Sequence, residues 1–381
     1  METTILKDAS IITPAGIISG SLILEGGKIV KIVKGERSLS LSSAKIIECK
    51  NAYVAPAFID LHIHGSGGYG TEDMSADALL HMSMILGLRG VGSFCPTLYP
   101  AKPEKMIENV LKLVPAFGRE KGARFLGLHL EGPFISPEKP GVMKPKDITG
   151  MDIKFLKKLW EAGDGKIKII TFAPEEPGAD ELIKFANQHN ILLQIGHTNA
   201  TYDDMMKARA KGISHVTHLF NAMSPFNHRE PGAAGAAMME DFSFEIIADG
   251  RHVHPAVVSF LGRVKKPEQI NLVTDALRPT SQKEGELLAN HEHVVLKDGL
   301  FKRVEDDVIA GSALTMIDGV KNLVDFGFTL PHAIMAASTN PARILGLKDR
   351  GTIEEGLLAD LVVFDKKFNI KHSLVGGKTI V

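Results

Sequence analysis

Only two cysteines, Cys49 and Cys95, occur in 381 residues. That excludes a disulfide scaffold and any all-cysteine metal site, and it fits a reducing cytoplasm. Neither charge is in excess: 44 basic against 45 acidic side chains leave −1. Nucleic acid and an anionic membrane are therefore not expected as partners. No apolar run approaches the ~20 residues of a membrane span. Residues Met1–Ser10 carry Lys7 and Asp8 and no long apolar core. They do not read as a signal peptide, so a cytoplasmic protein is expected. No Gly-x-Gly-x-x-Gly follows any apolar run, which disfavours a doubly wound dinucleotide fold. What is present is ordinary for a soluble globular chain: 44% hydrophobic and 23% charged residues, a mixture that excludes disorder, collagen and coiled coil.

The two ends of the chain read as short strands. Ser21–Glu25 and Ile29–Val33 flank Gly26-Gly27, and Ser373–Val375 and Thr379–Val381 flank Gly376-Gly377. Both are hairpin signals. Ala359–Phe364 is a further strand candidate. Between the ends, eight apolar runs alternate with helical patterns. The runs are Phe58–His64, Val91–Leu98, Phe125–Glu131, Ile167–Ala173, Ile191–Gly196, His215–Phe220, Phe244–Asp249 and Asn271–Asp275. The clearest helices are Ala76–Leu88, Pro103–Phe117, Asp152–Ala162, Asp180–His189 and Thr201–Ala210, the last opened by a Thr201/Asp204 capping box. This rhythm predicts an α/β protein built on a (β/α)8 TIM barrel.

A TIM barrel places its chemistry at the C-terminal ends of its strands. The first run ends Asp60-Leu-His62-Ile-His64, and period-two alternation puts Asp60, His62 and His64 on one face. The third ends at Glu131 before Gly-Pro, the fifth at His197 and the eighth at Asp275; His218 lies in the sixth. A single strand-end histidine is most often a hydrogen-bonded structural residue. Ligand-type residues on five strands that a barrel brings together point to a metal site. His129 and His215 are read as supports, because His129 lies deeper than Glu131 and His215 is out of phase with His218. Cys95 has no base beside it and is read as a small buried residue, and Cys49 as structural. Gly232–Ala237 is either a close-packed subunit contact or the start of a small-residue helix.

These residues resemble the amidohydrolase superfamily, and within it the N-acetylglucosamine-6-phosphate deacetylases. The stretches that carry the resemblance are Phe58–Gly65, Leu128–Phe134, Ile195–Asn199, Val216–Met223, Ala248–His252, Leu272–Ala276 and Ala310–Ala313. Leu-Glu-Gly-Pro-Phe together with Thr-His-Leu-Phe-Asn-Ala-Met is the specific combination. The resemblance implies a small β-sandwich from residues 1–54 and 350–381, and a catalytic barrel over 55–349. It implies that Glu131, His197 and His218 hold a principal divalent metal. His62 and His64 would hold a second, with Glu131 bridging and Asp275 nearby as a further metal ligand. One or two ions per subunit are expected, and zinc, iron, cobalt and manganese all suit these ligands. Asn221, Ala222 and Arg229 match positions that handle the sugar phosphate, and His252 one that contacts the substrate amide region. One departure is Pro140-Gly-Val-Met143, where related chains read Lys-Gly-Ala-His: Met143 cannot donate that hydrogen bond.

The implied reaction is metal-dependent hydrolysis of the N-acetyl group of N-acetylglucosamine 6-phosphate, giving glucosamine 6-phosphate and acetate. Asp275 would take a proton from water and return it to the departing amine. His252 would help polarise the acetyl carbonyl. Three alternatives stand: a deacetylase of N-acetylgalactosamine 6-phosphate, a cyclic-amide amidohydrolase, and a non-catalytic scaffold. The last is disfavoured because every expected ligand is present. A homodimer is expected.

Overall fold

The computed structural model describes residues 3–35, 44–290 and 292–380. Val381, at the end of the last expected hairpin, lies outside them. Eight parallel strands form the barrel in sequence order: Phe58–Ile63, Val91–Leu98, Leu128–Glu131, Ile167–Phe172, Leu192–Ile195, His215–Val216, Ser243–Ile247 and Ile270–Val273. A short pair of residues, Arg124–Phe125, precedes the third strand and pairs with the second. These strands are buried on both faces, which is why each reads as an apolar run rather than an alternation. The eighth strand meets the first through side chain and backbone together. Thr274 Oγ1 donates to Asp60 Oδ2 at 2.6 Å, and Asp275 N donates to His62 O at 2.9 Å. Asp60 therefore closes the barrel. Burial pushes its carboxyl up to about 7, against the hydrogen bonds from Thr274.

The helices fall where the pattern puts them. Ala76–Leu88 matches the expected span, and Tyr202–Ala210 begins at the Thr201/Asp204 capping box, Asp204 N donating to Thr201 Oγ1 at 3.2 Å. Such a cap is worth about 1 kcal/mol. Gly232–Met239 is a helix whose residues 232–237 are buried in the chain's own core. That decides between the two readings of this stretch: its small side chains let it pack closely inside the chain.

Both chain ends meet in one eight-stranded sheet. Ala52–Pro56 and Leu361–Asp365 pair antiparallel, and Gly26-Gly27 turns the Gly16–Glu25/Lys28–Lys34 hairpin with both φ positive, as a tight two-residue turn requires. The sheet has its own apolar core, including Leu22, Val54 and Leu361. Its other face joins the barrel core through Ile12, Val362 and Phe364. A second sheet was not anticipated. Gly285–Ala289, Glu292–Lys297, Leu300–Arg303 and Ile309–Ser312 form an antiparallel insert after the eighth barrel strand. Its core of Val294, Leu296 and Phe301 packs with Leu277 and Tyr99. Among the described residues no helix is long and apolar enough to cross a membrane.

Candidate active site

Four imidazoles and two carboxylates converge at the C-terminal end of the barrel. Glu131, the last residue of the third strand, is central. Its Oε1 lies 3.0 Å from Nε2 of both His197 and His218 and 3.3 Å from His62 Nε2. Its Oε2 lies 3.1 Å from His64 Nε2. Asp275 Oδ1 is 3.3 Å from His64 Nε2 and 3.5 Å from His62 Nε2. Two overlapping sets of metal-ligand atoms result, His62/His64/Glu131 and Glu131/His197/His218.

The way the chain leaves its strands sets this geometry. His197, His218 and Asp275 each follow a strand end by two residues, with φ of 48°, 25° and 48°. A non-glycine residue there costs on the order of 1–3 kcal/mol and needs neighbours that hold it. Those neighbours are present. His197 Nδ1 lies 3.1 Å from Lys139 O, His218 N donates to Glu245 Oε2 at 3.3 Å, and Asp275 N to His62 O. Gly141 closes over His197: a Cβ there would sit 3.2 Å from the ring.

The electrostatics favour bound positive charge. Burial works against ionising Glu131, but His62, with His197 and His218 beside it, holds it well below the usual carboxylate range. Asp275 is lowered against burial by His62 and His64. The reciprocal holds for His62, raised against burial by Glu131 and Asp275. The donor set fits a divalent ion on local grounds. His197 donates Nδ1–H to a carbonyl, which leaves an Nε2 lone pair facing a carboxylate oxygen at 3.0 Å. Glu131 Oε2 and His62 Nε2 are buried without a hydrogen bond. Electron-rich atoms so close together need a cation among them.

Around the cluster, a cavity of about 260 Å³ is lined by Tyr99, Met143, Asn221, Ala222, His252 and Asp275, and by Val308–Gly311 of the insert sheet. His252 is oriented by Asp249, whose Oδ2 lies 2.6 Å from Nδ1. Asn221 Nδ2 donates to His218 O at 3.1 Å. Arg229 is the departure from expectation. It is exposed and lines a different cavity with Asn199, Tyr202 and Glu230. The loop from Pro225 to Glu230 runs outward into solvent before the Gly232 helix begins, so Arg229 does not reach this chain's own pocket. His129 lies beneath the cluster, its ring edge-on to His62 at 4.6 Å and its Nε2 2.8 Å from Thr171 Oγ1. Burial brings it down to about 3. His215 stands apart, against Ser243. Three contributors were not anticipated: Tyr99, stacked on His64 at 3.8 Å, Asp249, and Glu245.

The family model described as "Amidohydrolase family" matches residues 53–380. The chain belongs to the amidohydrolase family. This amidohydrolase is 35% identical over 384 residues to the N-acetylglucosamine-6-phosphate deacetylase of Bacillus subtilis (strain 168), covering 99% of the chain and 96% of the relative. It is 33% identical over 330 residues to the N-acetylgalactosamine-6-phosphate deacetylase of Escherichia coli O157:H7, covering 85% and 87%. Among solved structures it resembles the N-acetylglucosamine-6-phosphate deacetylase of Thermotoga maritima, with a TM-score of 0.90, 33% identity and 99% of both chains covered.

Proposed function

We propose that this amidohydrolase removes the acetyl group of N-acetylglucosamine 6-phosphate, yielding glucosamine 6-phosphate and acetate. The observation that carries the reading is Glu131 touching all four imidazoles beside Asp275, in a pocket that His252 and Asn221 line. Glu131, His197 and His218 would hold one ion, and His62, His64 and Glu131 a second. A divalent ion supplies Lewis acidity, which makes water acidic near neutral pH, its pKa falling from 15.7 to about 7, and polarises an amide carbonyl.

The chain's own groups do the rest. Asp275, ionised and facing the pocket, takes the proton of the attacking water at Oδ1. It then delivers that proton to the amide nitrogen as the C–N bond breaks, because an amine anion is a poor leaving group. His252, held by Asp249 through Nδ1, presents Nε2 to the substrate. Zinc, iron, cobalt and manganese all suit the ligands, and metal analysis of protein purified without added metal identifies the one carried.

The proposal includes a pair of chains. Arg229 is exposed near Phe226 and Met239, which are 51% and 54% exposed. Pairing over this face would bury the apolar side chains and carry Arg229 toward the partner copy's substrate phosphate. Its guanidinium fork suits that group. The unphosphorylated sugar should be a much poorer substrate, and Arg229→Ala should narrow the gap by about 10- to 100-fold, the worth of a charge-assisted hydrogen bond or two. Mixed dimers of Arg229→Ala and Asp275→Asn chains should regain phosphate-dependent activity in one site of two. Equal turnover of both sugars by the unmodified enzyme contradicts the phosphate role.

The relative from Escherichia coli O157:H7 favours a second reading, the 4-epimer N-acetylgalactosamine 6-phosphate. Comparing kcat/KM for the two epimers decides it. The two metal positions are also separable. His62→Ala/His64→Ala should lose one ion per chain and keep reduced activity with the other. A double variant that binds metal normally removes the pair from the ligand set.

A further inference from the structure

The seventh barrel strand carries a carboxylate that the mechanism above does not use. Glu245 is completely buried in Ser243–Ile247, between Phe244 and Ile246. Its Oε2 lies 3.2 Å from His62 Nδ1 and accepts the backbone N–H of His218 at 3.3 Å. Among the described residues, it is the one carboxylate outside the cluster that touches a cluster imidazole. It does so on the nitrogen turned away from Glu131 and Asp275, so the His62 ring stands between Glu245 and the proposed ion. Glu245 is therefore not itself a ligand.

A carboxylate on the far nitrogen of an imidazole fixes the proton there, aims the near lone pair and makes it more basic. The other rings of the cluster are held differently. His197 has a carbonyl on Nδ1, and His64 lies against Tyr99 with its Nδ1 unpartnered. We infer that Glu245 is the positioning residue of the second metal position. Through Nδ1–H it sets the tautomer and direction of His62, and the His218 backbone fixes where its own carboxylate sits. The second position is thereby tied to a strand end that bears a ligand of the first. This rests on the ligand assignment proposed above.

The test uses chelator-stripped enzyme titrated with zinc, with stepwise dissociation constants read by competition against a chromophoric chelator. Glu245→Gln is nearly isosteric and can still accept from both N–H groups, so folding is retained while the charge is lost. Partners of this kind are worth about 10- to 100-fold in metal affinity. Glu245→Gln should therefore weaken the ion that His62→Ala/His64→Ala abolishes by about tenfold or more. The other ion should change less than threefold. Long-range proton–nitrogen spectra of the metal-loaded enzyme should show the His62 proton on Nδ1. A merely structural role would lower the melting temperature without changing the ratio of the two constants. If the histidine pair matters but Glu245→Gln leaves that ratio unchanged, or if His62 carries its proton on Nε2, the inference is overturned alone. If the pair variant binds both ions normally, the ligand assignment falls with it.

Discussion

Asp275→Asn should nearly abolish turnover while the fold and at least the principal ion remain. The backbone at this position is held from two sides, its N–H by His62 O and its carbonyl by the N–H of Ser312 at 3.0 Å. Neither contact depends on the side chain, and asparagine has almost the same shape, so the left-handed turn should survive. What is lost is the capacity to accept a proton from water and to pass it to the amine. General acid–base catalysis contributes ~10²–10⁴-fold, and losing both transfers should reach or exceed the upper end. KM should change little, because the proposed sugar and phosphate contacts lie on other residues. Steady-state kinetics with metal assayed on the same sample provides the check. More than about a tenth of the unmodified kcat, with metal bound, would take Asp275 out of the mechanism. Loss of the principal ion would make it mainly a ligand.

Asp275 was legible because a parallel barrel strand buried on both faces must be apolar along its length, and an acid at its end stands out. The same reasoning located Glu131, His197 and the His62/His64 pair. It located His218 only by letter. The sixth run was expected to stay a strand as far as Phe220, but pairing stops at Val216, and the backbone turns left-handed at His218 and again at Phe220, φ 79°. That turn is held by Glu245 from the neighbouring strand, a tertiary contact that local pattern does not encode. Glu245 left a signal of its own. A glutamate inside Phe244-Glu-Ile-Ile is a charge in an apolar run, which is costly unless something buried pairs with it.

The insert sheet was legible in part. Asp298-Gly299 between Glu292–Lys297 and Leu300–Arg303 is a hairpin signal, and both residues have positive φ. The rest of the sheet carries no such turn signal: its other edges, Gly285–Ala289 and Ile309–Ser312, are short strands with exposed residues. Arg229 shows a different limit. Its spacing from Asn221 says nothing about which way an intervening loop turns, and this loop turns away from the pocket.

Glu131→Gln should be as damaging as Asp275→Asn, by another route. Glu131 is the one residue shared by both ligand sets, with one oxygen on three imidazoles and the other on His64. A neutral amide cannot balance two dications among four imidazoles, so both ions should leave. Lewis-acid assistance is worth several kcal/mol, and each 1.36 kcal/mol is tenfold. Activity should fall about 10³-fold or more, to the level of exhaustively chelated enzyme. Stability separates this from a proton-transfer defect. An ion present at 1,000 times its Kd stabilises the fold by about 4 kcal/mol, so chelation should lower the Tm of the unmodified enzyme and of Asp275→Asn. The Tm of Glu131→Gln should not respond, because it has no ion to give up. Two ions per chain in Glu131→Gln, or full activity in chelated enzyme, would remove the shared carboxylate from the centre of the site.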